Sequence, residues 1–328
     1  MTTMINNDEM PTALFRRQYL GYQGGHGKVW DYFNHVRRSM LYQPKIYFTK
    51  DSIFDDGNPW KHETSMITKR WEPAKADLLF LAGMDWQDIP DDFTENIPVI
   101  SLVQGIRHAD PGSPLYEFLG KRAFRICVSQ EVADAILSTG KVNGPVSVIS
   151  NGIDLQDLMN SQIAPQIERK KIFIAALKDT PTGEYLSTQL QKKGYDVDLL
   201  THQIVRSEFL MRLKNALFAI LLPLPKEGFY LPGLEAMALG TPVIMPDCFG
   251  NRAYATHDQN CLLISREAIF AAVCQLDLIK LEQLREEGIK TAARFTLENE
   301  RQQFFKILRN IKALLIQHGG KMPDLHAR

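Results

Sequence analysis

Two glutamates eight residues apart, Glu227 and Glu235, are the side chains best placed in this sequence to do chemistry. They belong to Lys226-Glu227-Gly228-Phe229-Tyr230-Leu231-Pro232-Gly233-Leu234-Glu235, which follows an apolar run at 218–222 and continues through Ala236-Met237-Ala238-Leu239-Gly240-Thr241-Pro242-Val243-Ile244. This order puts Glu227 in the loop beyond a strand's carboxyl end, where open α/β sheets bind ligands. Gly228 permits a tight turn and Pro232 suits a first helical turn. The helix they open aims free N–H groups and the positive end of its dipole at the same crevice, which suits a diphosphate. Glu235 falls about one turn into that helix, among Leu231, Leu234, Ala236, Met237 and Ala238, and a carboxylate in apolar company needs donors. Vicinal sugar hydroxyls offer two donors at carboxylate spacing, so the pair fits a ligand with two sugars, such as a nucleotide sugar. The competing reading is a solvated helix glutamate and a capping glutamate.

The elements that must hold these residues follow from apolar periodicity. Short apolar runs alternate with amphipathic stretches along the whole chain, the rhythm of parallel sheets covered by helices. In the first half, strands are expected at 13–20, 45–49, 77–82, 98–103 and 124–129, with helices at 28–40 and 130–137. In the second half, strands are expected at 171–177, 197–201, 216–222, 242–246 and 261–264, with helices at 183–193, 206–214 and 231–239. Two long terminal helices, 266–293 and 297–317, close the chain. The stretch 153–170 is polar and without period, and reads as an inter-domain linker. The glycine-rich Gly24-Gly25-His26-Gly27 reads as a loop directly after the first strand. It fails the P-loop pattern, because Val29 follows Lys28, and the dinucleotide pattern, because Trp30 stands at the third glycine; a plain turn is the other reading.

The string EGFYLPGLEAMALGTPVI resembles the E-x7-E signature of the family 4 retaining glycosyltransferases, a GT-B family. Val148-Ile149-Ser150-Asn151-Gly152-Ile153-Asp154 is similar to that family's I-P-N-G-V-D crossing into the second domain, with Ser150 where proline is usual. Arg125-Ile126-Cys127-Val128-Ser129 and Phe295-Thr296 add similarity, and together these cover most of 98–310. The resemblance implies two Rossmann-like domains facing a central cleft: an acceptor-side domain at 1–152, a nucleotide-sugar domain at 153–296, and a last helix at 297–328 packing back on the first. It implies that Glu227 meets the transferred sugar's hydroxyls and Glu235 the ribose diol. Backbone N–H groups near Phe229, Tyr230 and Leu231 meet the diphosphate, and Gly24 and Gly25 match the family's glycine loop. The family has an arginine and a lysine about five apart that clamp the phosphates as leaving-group charge develops. Lys178 takes the first place, whereas Thr182 stands at the second, so Lys226 or Arg252 are candidates to compensate. Gln104 stands where the family often has a histidine near the reacting sugar, and His108 lies four residues on, with a surface histidine as its alternative.

The implied activity is retaining transfer of a hexose-type sugar from a nucleotide-sugar donor to a glycan or lipid-linked glycan acceptor, by analogy in surface polysaccharide synthesis. A non-catalytic nucleotide-sugar-binding protein is the alternative, as is an epimerase or phosphorylase on the same fold. No cofactor and no metal are expected: no His/Cys/Asp/Glu set has ligand spacing, and Asp55-Asp56 is isolated. Trp30, Trp60, Trp71 and Trp86 all fall in the first half, as sugar-stacking or core-filling indoles. A length of 328 residues with 45% hydrophobic content favours two domains, and 38 basic against 38 acidic side chains argue against nucleic acid. Cys127, Cys248, Cys261 and Cys274 lack C-x-x-C spacing and suit a reducing cytosol. The polar 1–11 segment resembles no secretory leader, and no run approaches the ~18 apolar residues of a membrane span. A cytoplasmic protein is expected, with peripheral membrane contact left open.

Overall fold

The computed structural model describes residues 10–90, 93, 97–154 and 170–317. They form two compact units, one within Met1–Ser150 and Glu300–Arg328 and the other within Asn151–Asn299. Most of the stretch read as a linker lies outside the described residues.

The first unit is built on a parallel sheet of β1 (Thr12–Arg17), β2 (Gln43–Phe48), β3 (Ile67–Thr68), β4 (Leu78–Ala82), β5 (Val99–Val103), β6 (Phe124–Cys127) and β7 (Val146–Val148). Its order is β3-β2-β1-β4-β5-β6-β7. The central strands β4 and β5 are buried throughout, because a parallel sheet covered on both faces has no wet side. On one face Phe15 stacks on Phe80 at 4.7 Å and meets Phe33 of helix α1 (Gly24–Ser39) edge-on at 5.2 Å. Leu14, Leu79, Leu81 and Trp86 fill the other. Trp60 and Trp86 are wholly buried, so for these two indoles core filling is the role.

The four residues Gly24 to Gly27, read above as a loop, are the first turn of α1. The Gln23 carbonyl accepts the N–H of His26 (2.9 Å) and of Gly27 (3.2 Å), and no side chain caps the terminus. Glycine tolerates this uncapped start. Further along α1, Lys28 pairs with Glu300 (2.6 Å) and Asp31 (2.8 Å), and His35 Nε2 lies 3.0 Å from the other Glu300 oxygen. Burial alone would raise the Glu300 pKa; the Lys28 charge and the hydrogen bonds outweigh it and hold the carboxyl below its ordinary range.

The second unit has the order β12-β11-β10-β8-β9, all parallel, from β8 (Lys171–Ala175), β9 (Asp196–Leu200), β10 (Phe218–Leu221), β11 (Val243–Met245) and β12 (Leu262–Leu263). Alternate residues leave each strand on opposite faces. Ile172, Ile174, Phe218, Ile220 and Ile244 join Leu186 and Leu190. These two leucines belong to α4 (Thr180–Lys192), which follows α2 (Pro114–Glu117) and α3 (Gln130–Leu137) of the first unit. Phe173, Ala175, Ala219, Leu221, Val243 and Met245 pack instead against Leu210 and Leu213 of α5 (Arg206–Asn215) and Leu234 and Met237 of α6 (Leu231–Ala238).

Every strand expected in both halves is present, within a few residues at its ends. One helix differs. The stretch 266–293 is not continuous but comprises a 3-10 turn, Arg266–Ala268, then α7 (Ile269–Val273) and α8 (Leu278–Ala292). The break falls where Asp277 turns its side chain onto the Lys280 N–H (2.7 Å) and caps a new helix. The last helix, α9, covers Leu297–Gln317.

Candidate functional site

In the second unit, β10 pairs in register with β8, Leu221 opposite Ala175, so the loops leaving both strands emerge at one edge. That geometry brings together two residues 49 positions apart: Lys178 Nζ lies 2.5 Å from Glu227 Oε1. The Glu227 carboxylate also accepts the Leu224 N–H at 3.4 Å, so the loop folds around its own acid. The loop is braced from below by Gly250, whose carbonyl accepts the Tyr230 N–H at 2.8 Å. A Cβ at Gly250 would stand 2.8 Å from Tyr230 N and 3.0 Å from Glu227 Cβ, which only glycine avoids.

Glu235 is 1% exposed, within α6. A buried carboxylate of this kind needs a cation or donors. Arg206, the first residue of α5 beyond β9, supplies the cation: its Nη1 lies 2.5 Å from Glu235 Oε1, a charge contact without hydrogen-bond alignment. The loops after β8, β9 and β10 therefore converge on one helix, and each signature glutamate holds one basic side chain. Sequence reading missed Arg206. It begins a helix 29 positions before Glu235, with Glu208 as its nearby acid in the chain, and only the adjacency of β9 and β8 brings it within reach of α6.

No side chain caps the N-terminus of α6. Of the backbone N–H groups expected to face a diphosphate, that of Tyr230 is bonded to Gly250 and that of Leu231 to the Phe229 carbonyl at 3.2 Å. The Phe229 ring packs against Tyr254 and Phe295 at 5.7 and 6.3 Å. At the place of the missing clamp lysine, Thr182 hydrogen-bonds Asp179, which also pairs with Arg266 at 2.7 Å. Partial burial opposes ionisation of Asp179, but these hydrogen bonds and the Arg266 charge hold its carboxyl below the ordinary range. Arg252 grips Asp247 with a two-pronged contact, Nε–Oδ1 3.0 Å and Nη2–Oδ2 2.5 Å.

In the first unit, Gln104 Nε2 donates to the Gly25 carbonyl at 3.3 Å, which joins two of the sequence candidates. His108 is placed differently: it is 6% exposed, and its Nδ1 lies 3.0 Å from the Gly105 carbonyl. Its ring is a buried element of a 3-10 turn. A histidine not singled out, His26, is held by Arg17, whose Nη2 lies 3.0 Å from its Nδ1 while Nη1 pairs with buried Asp85 at 2.9 Å.

Both imidazoles are neutral in the folded chain. Burial, reinforced by Arg17, brings His26 down to about 4; burial likewise brings His108 down to about 4 against the pull of the Gly105 hydrogen bond. The unfolded chain therefore binds more protons between the ordinary histidine value of ~6.5 and that lower one. Stability is expected to be complete above that window and to fall as pH drops through it. Urea unfolding midpoints should decline between about pH 6.5 and 4, and His108→Phe should flatten the decline.

Residues 152–277 match the family model described as Glycosyl transferases group 1. A search of curated proteins finds no match to the sequence. Among solved structures, HepE of Anabaena in complex with UDP-glucose is similar at 15% identity, over 91% of this chain and 99% of that one, with a TM-score of 0.66. Sucrose-phosphate synthase of Thermosynechococcus elongatus is similar at 14% identity, over 93% and 100%, with a TM-score of 0.65. A glycosyltransferase of Rickettsia africae gives 11%, 93%, 99% and 0.66. At these identities the likeness is one of fold. Together with the matched domain it defines the class, a glycosyltransferase of GT-B fold. The matched segment is the one that carries Lys178, Arg206, Glu227 and Glu235.

Proposed function

We propose that the chain transfers a hexose-type sugar, with retention, from a nucleoside diphosphate sugar to a glycan or lipid-linked glycan. The carrying observation is that Glu227 and Glu235, spaced for the hydroxyls of two sugars, each hold a cation beside the uncapped start of α6. HepE holds UDP-glucose in its structure, which supports a nucleotide-sugar donor here. Glu227 takes the transferred sugar's hydroxyls, Glu235 the ribose diol, and Lys178 with the α6 terminus the diphosphate. Gln104, bound to Gly25 of the α1 start, stands as the first unit's sugar contact. In this mechanism the leaving phosphate oxygen helps deprotonate the acceptor hydroxyl, and the protein supplies position and charge stabilisation without a metal. Among the described residues, no group of three or more His, Cys, Asp or Glu side chains could hold a metal ion, and no helix is long and apolar enough to cross a membrane.

The test is a panel of nucleotide sugars, read by melting temperature and by nucleotide release with and without glycan acceptors. A matched donor at about a hundredfold over its dissociation constant stabilises by ~2.7 kcal/mol. Release that requires an acceptor identifies a transferase; binding without release in any combination replaces this reading with a non-catalytic nucleotide-sugar protein, which the threonine at 182 favours. Within the panel, Glu235→Gln is expected to weaken nucleotide binding while circular dichroism is unchanged, because an amide cannot accept from both ribose hydroxyls. Unchanged affinity in calorimetry would return Glu235 to a purely structural role.

A further inference from the structure

We propose that Arg206 is the second phosphate-binding cation of this site, standing in from another loop for the lysine absent at Thr182. In the ligand-free protein it neutralises Glu235; when a nucleoside diphosphate binds, the ribose hydroxyls take over Glu235 and the guanidinium turns to the phosphates. This rests on the nucleotide-sugar reading of the second unit.

The pairing of charges leads to it. Without ligand the site holds two carboxylates, Glu227 and Glu235, and two cations, Lys178 and Arg206, and is neutral. An incoming diphosphate brings at least two negative charges, and the ribose and hexose bring none. If the diphosphate met Lys178 alone, a surplus anion would sit at the mouth of a site containing a carboxylate that is 1% exposed. Exchanging partners leaves the summed charge unchanged but places both cations on the phosphates: each carboxylate passes from a cation to a sugar diol, and each cation passes to phosphate.

Geometry permits the exchange. The Arg206 side chain is 37% exposed at the start of α5, so its guanidinium turns through solvent rather than through the core. The contact with Glu235 lacks hydrogen-bond alignment, and Glu235 Oε1, buried, has no hydrogen-bond partner at all. That oxygen is supplied with charge but not with a donor, as a site awaiting a hydroxyl would be. Arginine also matches phosphate with two parallel N–H donors. The other arginines of this edge are engaged: Arg266 with Asp179 and the Pro223 carbonyl (2.6 Å), Arg252 with Asp247.

The test is calorimetry of the full chain and its Arg206→Ala and Arg206→Lys variants with UDP, ADP, GDP and dTDP, and with the nucleoside of whichever binds the parent. Arg206→Ala is expected to lose about tenfold or more in affinity for the diphosphate, the scale of one charge-assisted hydrogen-bonded contact. Its affinity for the nucleoside should be unchanged or tighter, because the competitor for Glu235 is gone. Arg206→Lys should retain part of the diphosphate affinity. Equal loss for diphosphate and nucleoside, or no loss for either, overturns the proposal and leaves the donor reading intact. A parent that binds none of the four overturns the donor reading and this inference with it. Unchanged circular dichroism and melting of Arg206→Lys guards against a folding artefact in Arg206→Ala.

Discussion

Lys178→Ala is expected to lower the rate of sugar transfer about a hundredfold or more, roughly 2.7 to 4 kcal/mol of transition-state stabilisation, with a smaller loss of donor affinity. Charge on the leaving phosphate oxygen grows as the glycosidic bond breaks, so an ammonium beside it acts more on the transition state than on the bound donor. The fold should be untouched: Lys178 is about half exposed, and an exposed pair such as that with Glu227 contributes only ~0–1 kcal/mol to stability. Turnover, Michaelis constant and melting temperature, measured together, check all three statements. Thr182→Lys should raise turnover by adding a second ammonium, at the loss of the Thr182 bond to Asp179, which keeps Arg266. If neither variant alters transfer, Lys178 serves only as the partner of Glu227.

The second large effect concerns stability. Arg125, 1% exposed on β6, donates to five main-chain carbonyls: Ala123 (3.1 Å) and Asn143 (2.6 Å) from Nη1, and Phe118 (3.1 Å), Leu119 (2.7 Å) and Lys121 (2.6 Å) from Nη2. Burial brings its pKa down to about 10, which still leaves it charged at neutral pH. The guanidinium thus ties the turn after α2 to β6 and to the approach to β7. Arg125→Ala is expected to destabilise the chain by at least ~3 kcal/mol, since three of the five orphaned carbonyls reach that figure even at the low end of ~1–3 kcal/mol each. Against a typical total of ~5–15 kcal/mol, the unfolding midpoint in urea should shift strongly. Arg125→Met fills most of the space and supplies no donor; a similar loss in both variants assigns the effect to the hydrogen bonds rather than to packing.

The two sheets and nearly every strand were legible because a parallel strand buried on both faces leaves an unbroken apolar run, as Leu78–Ala82 and Phe218–Leu221 do. The two-residue β3 and three-residue β7 were not: both are short, only half-buried and broken by a hydroxyl side chain, so no unbroken apolar run marks them as it does the equally short β11 and β12. The start of α1 was misread because glycine propensity argues against helix at Gly24 to Gly27, whereas a first helical turn makes few demands on propensity. At the site, Glu227 and Glu235 were visible through their spacing within one continuous stretch, the loop after β10 and the helix it opens. The Lys178 contact with Glu227 and the Arg206 contact with Glu235 depend on which strands are neighbours in the sheet, and strand order is not encoded locally. Arg125 stood in plain view as part of a strand, but its value comes from carbonyls in two stretches well apart in sequence, 118–123 and Asn143.

The way the chain enters and leaves the second unit has a practical side. Ile153 N–H bonds the Phe295 carbonyl at 2.9 Å, Leu297 N–H returns to the Ile153 carbonyl at 3.3 Å, and a Cβ on Gly152 would stand 2.3 Å from the Thr296 oxygen. The two ends of Asn151–Asn299 are therefore clasped side by side, and everything between them is one closed loop of sequence. Such a segment behaves as a cassette. It can be exchanged for the matching piece of a relative through a single pair of adjacent junctions, so that the whole second unit is regrafted in one operation while the rest of the chain is kept.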